Sequence, residues 1–88
     1  MISVEAINNN SFKVSVSKDF LTEHIVLLSD GFHQDVCNCK LTKTELITKS
    51  FEFLLDRESN QSILKKFNLE VISQYFPEYI DEIKKIIL

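Results

Sequence analysis

Near the start of the chain Ile2, Val4 and Ala6 alternate with Ser3 and Glu5, a period of two that predicts a strand with one buried face. The run Asn8-Asn9-Asn10 follows, and asparagine accepts the backbone conformations that tight turns need. Phe12, Val14 and Val16 then alternate with Ser11, Lys13, Ser15 and Ser17, so the two runs predict a hairpin. A turn over Lys18–Leu21 leads into a third strand, Thr22–Leu28. Its centre, Ile25-Val26-Leu27-Leu28, is apolar on both faces, as suits a central or covered strand.

From Ser29 onward the period lengthens. Ser29 or Asp30 can cap a short helical turn carrying Phe32 and Val36. Thr42-Lys43-Thr44-Glu45 is a capping box, and it opens a helix predicted to run to about Asp56. Leu46, Ile47, Ser50, Phe51, Leu54 and Leu55 form its apolar stripe. Glu58–Gln61 breaks this helix, and Ser59 or Asn60 can start a short one carrying Ile63, Leu64 and Phe67. Asn68 suits the N-cap of a further turn, with Phe67 and Ile72 as its hydrophobic staple and Leu69, Ile72, Tyr75 and Phe76 as its stripe. Pro77 fits the first turn of a last helix, made amphipathic by Tyr79, Ile80, Ile83, Ile86 and Ile87. Strands first and helices afterwards is the α+β order. The expectation is one domain over 1–88: a three-stranded antiparallel sheet in 1–28, then three to four α-helices in 29–88 packed on one of its faces.

Composition narrows the function classes. The net charge is −3 and the ten basic residues are scattered, which argues against a general nucleic-acid binder. No stretch approaches the length of an apolar membrane span. Met1–Asn10 contains an acid and no basic residue, unlike a signal peptide, so a reduced, cytoplasmic protein is expected. Gly31 is the only glycine, leaving no phosphate-cradling loop, and no nucleophile turn of a Ser-His-Asp site occurs. Neither an enzyme nor a cofactor is implied.

The candidate chemistry lies in His24, His33, Cys37 and Cys39. On a helix His33 and Cys37 share a face, and zinc accepts such ligands, so His33, Cys37 and Cys39 are a candidate metal site. The competing reading packs Cys37 as a small hydrophobe and leaves His33 in solvent. His24, on an apolar strand, is expected to be buried and hydrogen-bonded, with Thr22 or Glu23 as partner. Phe53 falls off the main stripe, so it is either exposed or turned toward another element. With Ile86, Ile87 and Leu88 it is a candidate surface for a protein partner or a homodimer.

One resemblance covers much of the chain. Thr22–Leu27, Ser50–Glu58, Ser62-Ile63-Leu64, Phe67-Asn68-Leu69 with Ile72, and Tyr75-Phe76-Pro77-Glu78-Tyr79 together resemble a group of short bacterial proteins without an assigned function. The resemblance implies a bacterial source and supplies no catalytic residue, cofactor or substrate. The expected function is therefore a non-enzymatic protein-interaction or regulatory module. The alternatives are an antitoxin-like nucleic-acid regulator, using Lys13, Lys18, Lys40, Lys43 and Lys49, and the metal site.

Overall fold

The computed structural model describes residues 1–18, 20–37 and 40–87, with Ile87 described by its backbone alone. Strands β1 (Ile2–Ala6), β2 (Ser11–Ser17) and β3 (Leu21–Leu27) pair antiparallel in sequence order. The hairpin turn closes through Ile7 N–H to Ser11 O at 2.8 Å and Asn10 N–H to Asn8 Oδ1 at 2.9 Å. The register sets Val4 opposite Val14 and Val14 opposite His24, so Phe12, Val14, Val16, His24 and Val26 share one buried face. Ser3, Glu5, Lys13, Ser15 and Glu23 alternate onto the other face, where Lys13 and Glu23 pair at 3.0 Å.

The helices are α1 (Asp30–Cys37), α2 (Lys43–Leu55), α3 (Ile72–Tyr75) and α4 (Tyr79–Ile87). Ser29 Oγ accepts Phe32 N–H at 3.2 Å, capping α1 as its sequence suggests. The α2 capping box is complete: Thr42 Oγ1 accepts Glu45 N–H at 3.1 Å, and Glu45 Oε1 accepts Thr42 N–H at 2.9 Å. Those bonds hold the Glu45 carboxyl below the usual carboxylate range. Lys43 reaches the Asp30 carboxylate and the Asn9 carbonyl, tying the start of α2 to α1 and the hairpin turn.

Five of the expected stripe residues of α2, Leu46, Ile47, Ser50, Phe51 and Leu54, are buried beneath the sheet. Phe51 is the centre of this layer, its ring 5.4 Å from that of His24 and 6.1 Å from that of Phe67. Removing a fully buried phenylalanine side chain of this kind costs about 3–5 kcal/mol.

Three expectations are corrected. The sheet has four strands, because β4 (Lys66–Asn68) pairs parallel to β3, with Phe67 opposite Val26. The sheet is therefore mixed. A three-residue strand with one apolar side chain carries no readable period, although the two apolar faces of β3 suit a central strand as well as a covered one. The short helix expected from Ser59 or Asn60 to Phe67 is only a 3-10 turn at Asn60–Ser62. Its continuation is prevented because the Asn60 amide is held by the sheet and Phe67 is drawn into β4. Asn68 precedes a second 3-10 turn, Leu69–Val71, without a side-chain cap.

Candidate functional site

Segment 60–65 separates two hollows, and Ile63 lines both. The first is an open groove of about 390 Å³ between the end of α2, the segment 62–67 and α3. Leu54, Ile63, Phe67 and Ile72 are buried at its floor. Leu64 and Tyr75 stand at its rims, 48% and 68% exposed. Glu58 is the one carboxylate in the lining, and it has no cationic partner among the described residues.

The geometry of the groove follows from how α2 stops. Arg57, just past its C-terminus, donates from Nη1 to Phe53 O and from Nε to Glu78, both at 3.3 Å. Its guanidinium lies 3.7 Å over the Phe53 ring. Phe76 is extended, the conformation favoured before a proline, and Pro77 turns the chain into α4. Phe76 and Tyr79 then close edge-on around Phe53, with centroids at 5.8 and 5.3 Å.

The second hollow, about 630 Å³, is lined by Leu21, Thr22, Glu23, His24, Asn60, Gln61, Ile63 and Lys65. Its floor is polar but its bonding groups are engaged with one another. His24 Nδ1 lies 2.8 Å from Leu64 O. A carbonyl can only accept, so this nitrogen carries the proton. Nε2, 2.9 Å from Thr22 Oγ1, then accepts from the hydroxyl, which in turn accepts from Asn60 Nδ2 at 3.1 Å. Asn60 also donates to Phe20 O at 2.8 Å. This chain binds the 60–65 segment to the sheet. The expected buried and bonded histidine is found, with Thr22 as one partner and Leu64 O, far away in sequence, as the other.

The remaining polar groups in the interior are also structural. Ser50 Oγ donates to Leu46 O at 2.7 Å, so Tyr79 OH, 2.6 Å away, donates to Ser50. Burial pushes the Tyr79 hydroxyl well above its ordinary range. His33 Nε2 donates to Leu41 O at 2.6 Å, and Cys37 Sγ donates to His33 O at 3.1 Å. Cys37 is buried, so it packs as a small hydrophobe, whereas His33 is half-buried rather than left in solvent. Of the candidate metal ligands, Cys39 lies outside the described residues. Among the described residues no three His, Cys, Asp or Glu side chains are placed to hold a metal ion.

The other candidate residues do not assemble into one surface. Phe53 is 6% exposed, so the second of its two readings holds: it faces Phe76, Tyr79 and Arg57 rather than solvent. Ile86 is exposed on α4, while the Ile87 side chain and Leu88 lie outside the described residues. The lysines are dispersed as well. Lys13 pairs with Glu23 on the open sheet face, Lys43 with Asp30, and Lys49 with Glu52 at 3.4 Å on the helical side.

Asn60 was visible in the sequence only as a helix start, and Leu64 and Tyr75 only as members of apolar stripes. In the structure Asn60 is bonded to the sheet, while Leu64 and Tyr75 line the groove with Phe67 of β4. Among the described residues no helix is long and apolar enough to cross a membrane. Comparison of the chain with protein-family models, curated proteins and solved structures returns no match.

Proposed function

We propose that this chain is a non-enzymatic interaction module whose groove takes an amphipathic helix of a partner protein. The observation that carries the reading is the pairing of a buried apolar floor with exposed Leu64 and Tyr75 at the rims. Large apolar side chains held at the edge of a groove are characteristic of surfaces that become covered. An open trough fits the ridge of a helix, with apolar anchors at i, i+3 or i+4, and i+7. The unpaired Glu58 carboxylate adds charge complementarity, favouring a Lys or Arg beside those anchors. The groups that elsewhere act as bases or nucleophiles, His24, His33 and Cys37, are occupied in hydrogen bonds that close the fold. The resemblance to short bacterial proteins adds a bacterial source.

Selection of displayed helical peptides against the 88-residue chain tests this. Enriched peptides are expected to share apolar anchors at helical spacing and a neighbouring basic residue. Their binding is expected to shift NMR resonances of Leu64, Tyr75 and Phe76, and to weaken at least about tenfold in Leu64→Asp. Binding unaffected by Leu64→Asp and Tyr75→Ala, or no enrichment at all, overturns the reading.

A further inference from the structure

The alternation that makes β1 a strand also decides which of its backbone groups are left over. β1 is an outer strand of the sheet. Ser17 N–H donates to Met1 O at 2.8 Å, the Met1 ammonium donates to Ser17 O at 2.6 Å, and Ile7 N–H donates to Ser11 O at 2.8 Å. Bonded and non-bonded pairs alternate along an antiparallel ladder. Ser3 and Glu5 therefore bond to β2, while the N–H and C=O groups of Ile2, Val4 and Ala6 point away from it. The side chains of these same residues face the helical layer, yet Ile2 and Val4 are only half-buried and Ala6 is exposed. The strand carries no proline and no lysine, its pairing has no bulge, and its one charge is Glu5. The devices that normally blunt an edge strand are thus nearly absent.

We infer that β1 is the seam of a symmetric dimer, in which a second copy of this chain adds its own β1 antiparallel to the first. The strand is self-complementary about Val4. In that register Val4 meets Val4, and Ile2 meets Ala6 of the second copy. Each of the three outward-facing pairs exchanges two hydrogen bonds, and all five strand residues are used. The contact is closed by its two-fold axis.

Charge disfavours one of the competing registers. On the open face Glu23, Lys13 and Glu5 form a row of alternating sign across β3, β2 and β1. About Val4, each Glu5 meets Ser3 of the second copy, so the row ends on a neutral hydroxyl. A two-residue slip that pairs Glu5 with Glu5 sets like charges directly opposite, which is unfavourable. The seam lies at the opposite edge of the sheet from β4, whose Phe67 lines the groove, so either can fail while the other stands.

Sedimentation equilibrium of the untagged chain, with Ser3 variants, tests the seam. The expected species has twice the 10.2 kDa mass of one chain. Ser3→Lys, facing Glu5 of the second copy at both symmetry-related positions, is expected to tighten the dimer about fivefold, and Ser3→Glu to loosen it about fivefold. Ser3 is exposed on the open face, and circular dichroism reports whether each variant keeps its fold. Hydrogen exchange supplies a readout on the unaltered chain. The Ile2, Val4 and Ala6 amides slow as concentration rises, while those of Ser3 and Glu5 are protected throughout. A chain that stays at 10.2 kDa up to millimolar concentration overturns the inference. So does a shift of the two Ser3 variants in the same direction, or exchange at Ile2, Val4 and Ala6 that ignores concentration.

Discussion

The two hollows on either side of segment 60–65 use the same stretch of chain in opposite ways. On one side Asn60, Thr22 and His24 satisfy one another and fix the segment to the sheet. On the other, Leu64 and Tyr75 leave large apolar surface in water although core residues lie directly beneath. The polar side contains the residue types that sequence reading flags as chemistry, yet its hydrogen bonds are internal and hold the fold. The apolar side contains none of them and keeps unused capacity for contact. A polar constellation therefore marks function only when its bonding groups are left open to a ligand.

The largest effect expected from this contrast is on stability, at the polar side. Asn60→Ala removes the donor to Thr22 Oγ1 and one of the two donors to Phe20 O, which keeps Lys18 N–H at 3.2 Å, and should cost about 1–3 kcal/mol, measured by urea unfolding. Tyr79→Phe removes one buried bond while Ser50 keeps Leu46 O, so about 1–1.5 kcal/mol is expected. Because burial raises the Tyr79 hydroxyl, the folded state keeps a proton that the unfolded chain releases above about pH 10. Stability from this group is complete below that pH and declines above it. The alkaline decline should be shallower in Tyr79→Phe.

Thr42→Ala probes a feature outside both hollows, the α2 cap, at about 1 kcal/mol. The Glu45 carboxyl, lowered by its bonds to Thr42, stabilises the fold above the ordinary carboxylate range and loses that contribution as pH falls. Thr42→Ala should flatten that acid dependence in thermal melts. The smallest stability effect is expected at the groove rims, where Leu64→Asp and Tyr75→Ala should each stay within about 0.5 kcal/mol.

Where the chain repeats a period long enough, its fold is legible. The β1–β2 hairpin, β3 and the capped α2 follow from alternation, the asparagine turn and the Thr42–Glu45 box. Ile63, Leu64 and Phe67 admit helical spacing, which predicts a short helix from Ser59 or Asn60. Tertiary bonds decide otherwise: Lys65 O accepts Ile25 N–H at 2.7 Å, and Asn60 is tied to the second-to-third strand turn. Such contacts, about forty residues apart in sequence, leave no local signature. The groove was illegible for the same reason. Its floor joins residues of α2, β4 and α3, and only the parallel pairing of β4 brings them together. Phe53 shows the converse. Its place off the α2 stripe was readable, but what covers it depends on the Pro77 corner.

The most direct test of the account sets affinity against stability in one variant pair, Leu64→Asp and Asn60→Ala, using a groove-selected helical peptide and calorimetric titration. The account predicts that Leu64→Asp unfolds at nearly the same urea concentration as the unaltered chain while binding at least about tenfold more weakly. It predicts that Asn60→Ala, studied where it remains folded, loses stability but binds within about threefold. If Leu64→Asp instead keeps its affinity, or loses as much stability as Asn60→Ala, the division between a locked polar side and an open apolar side is contradicted.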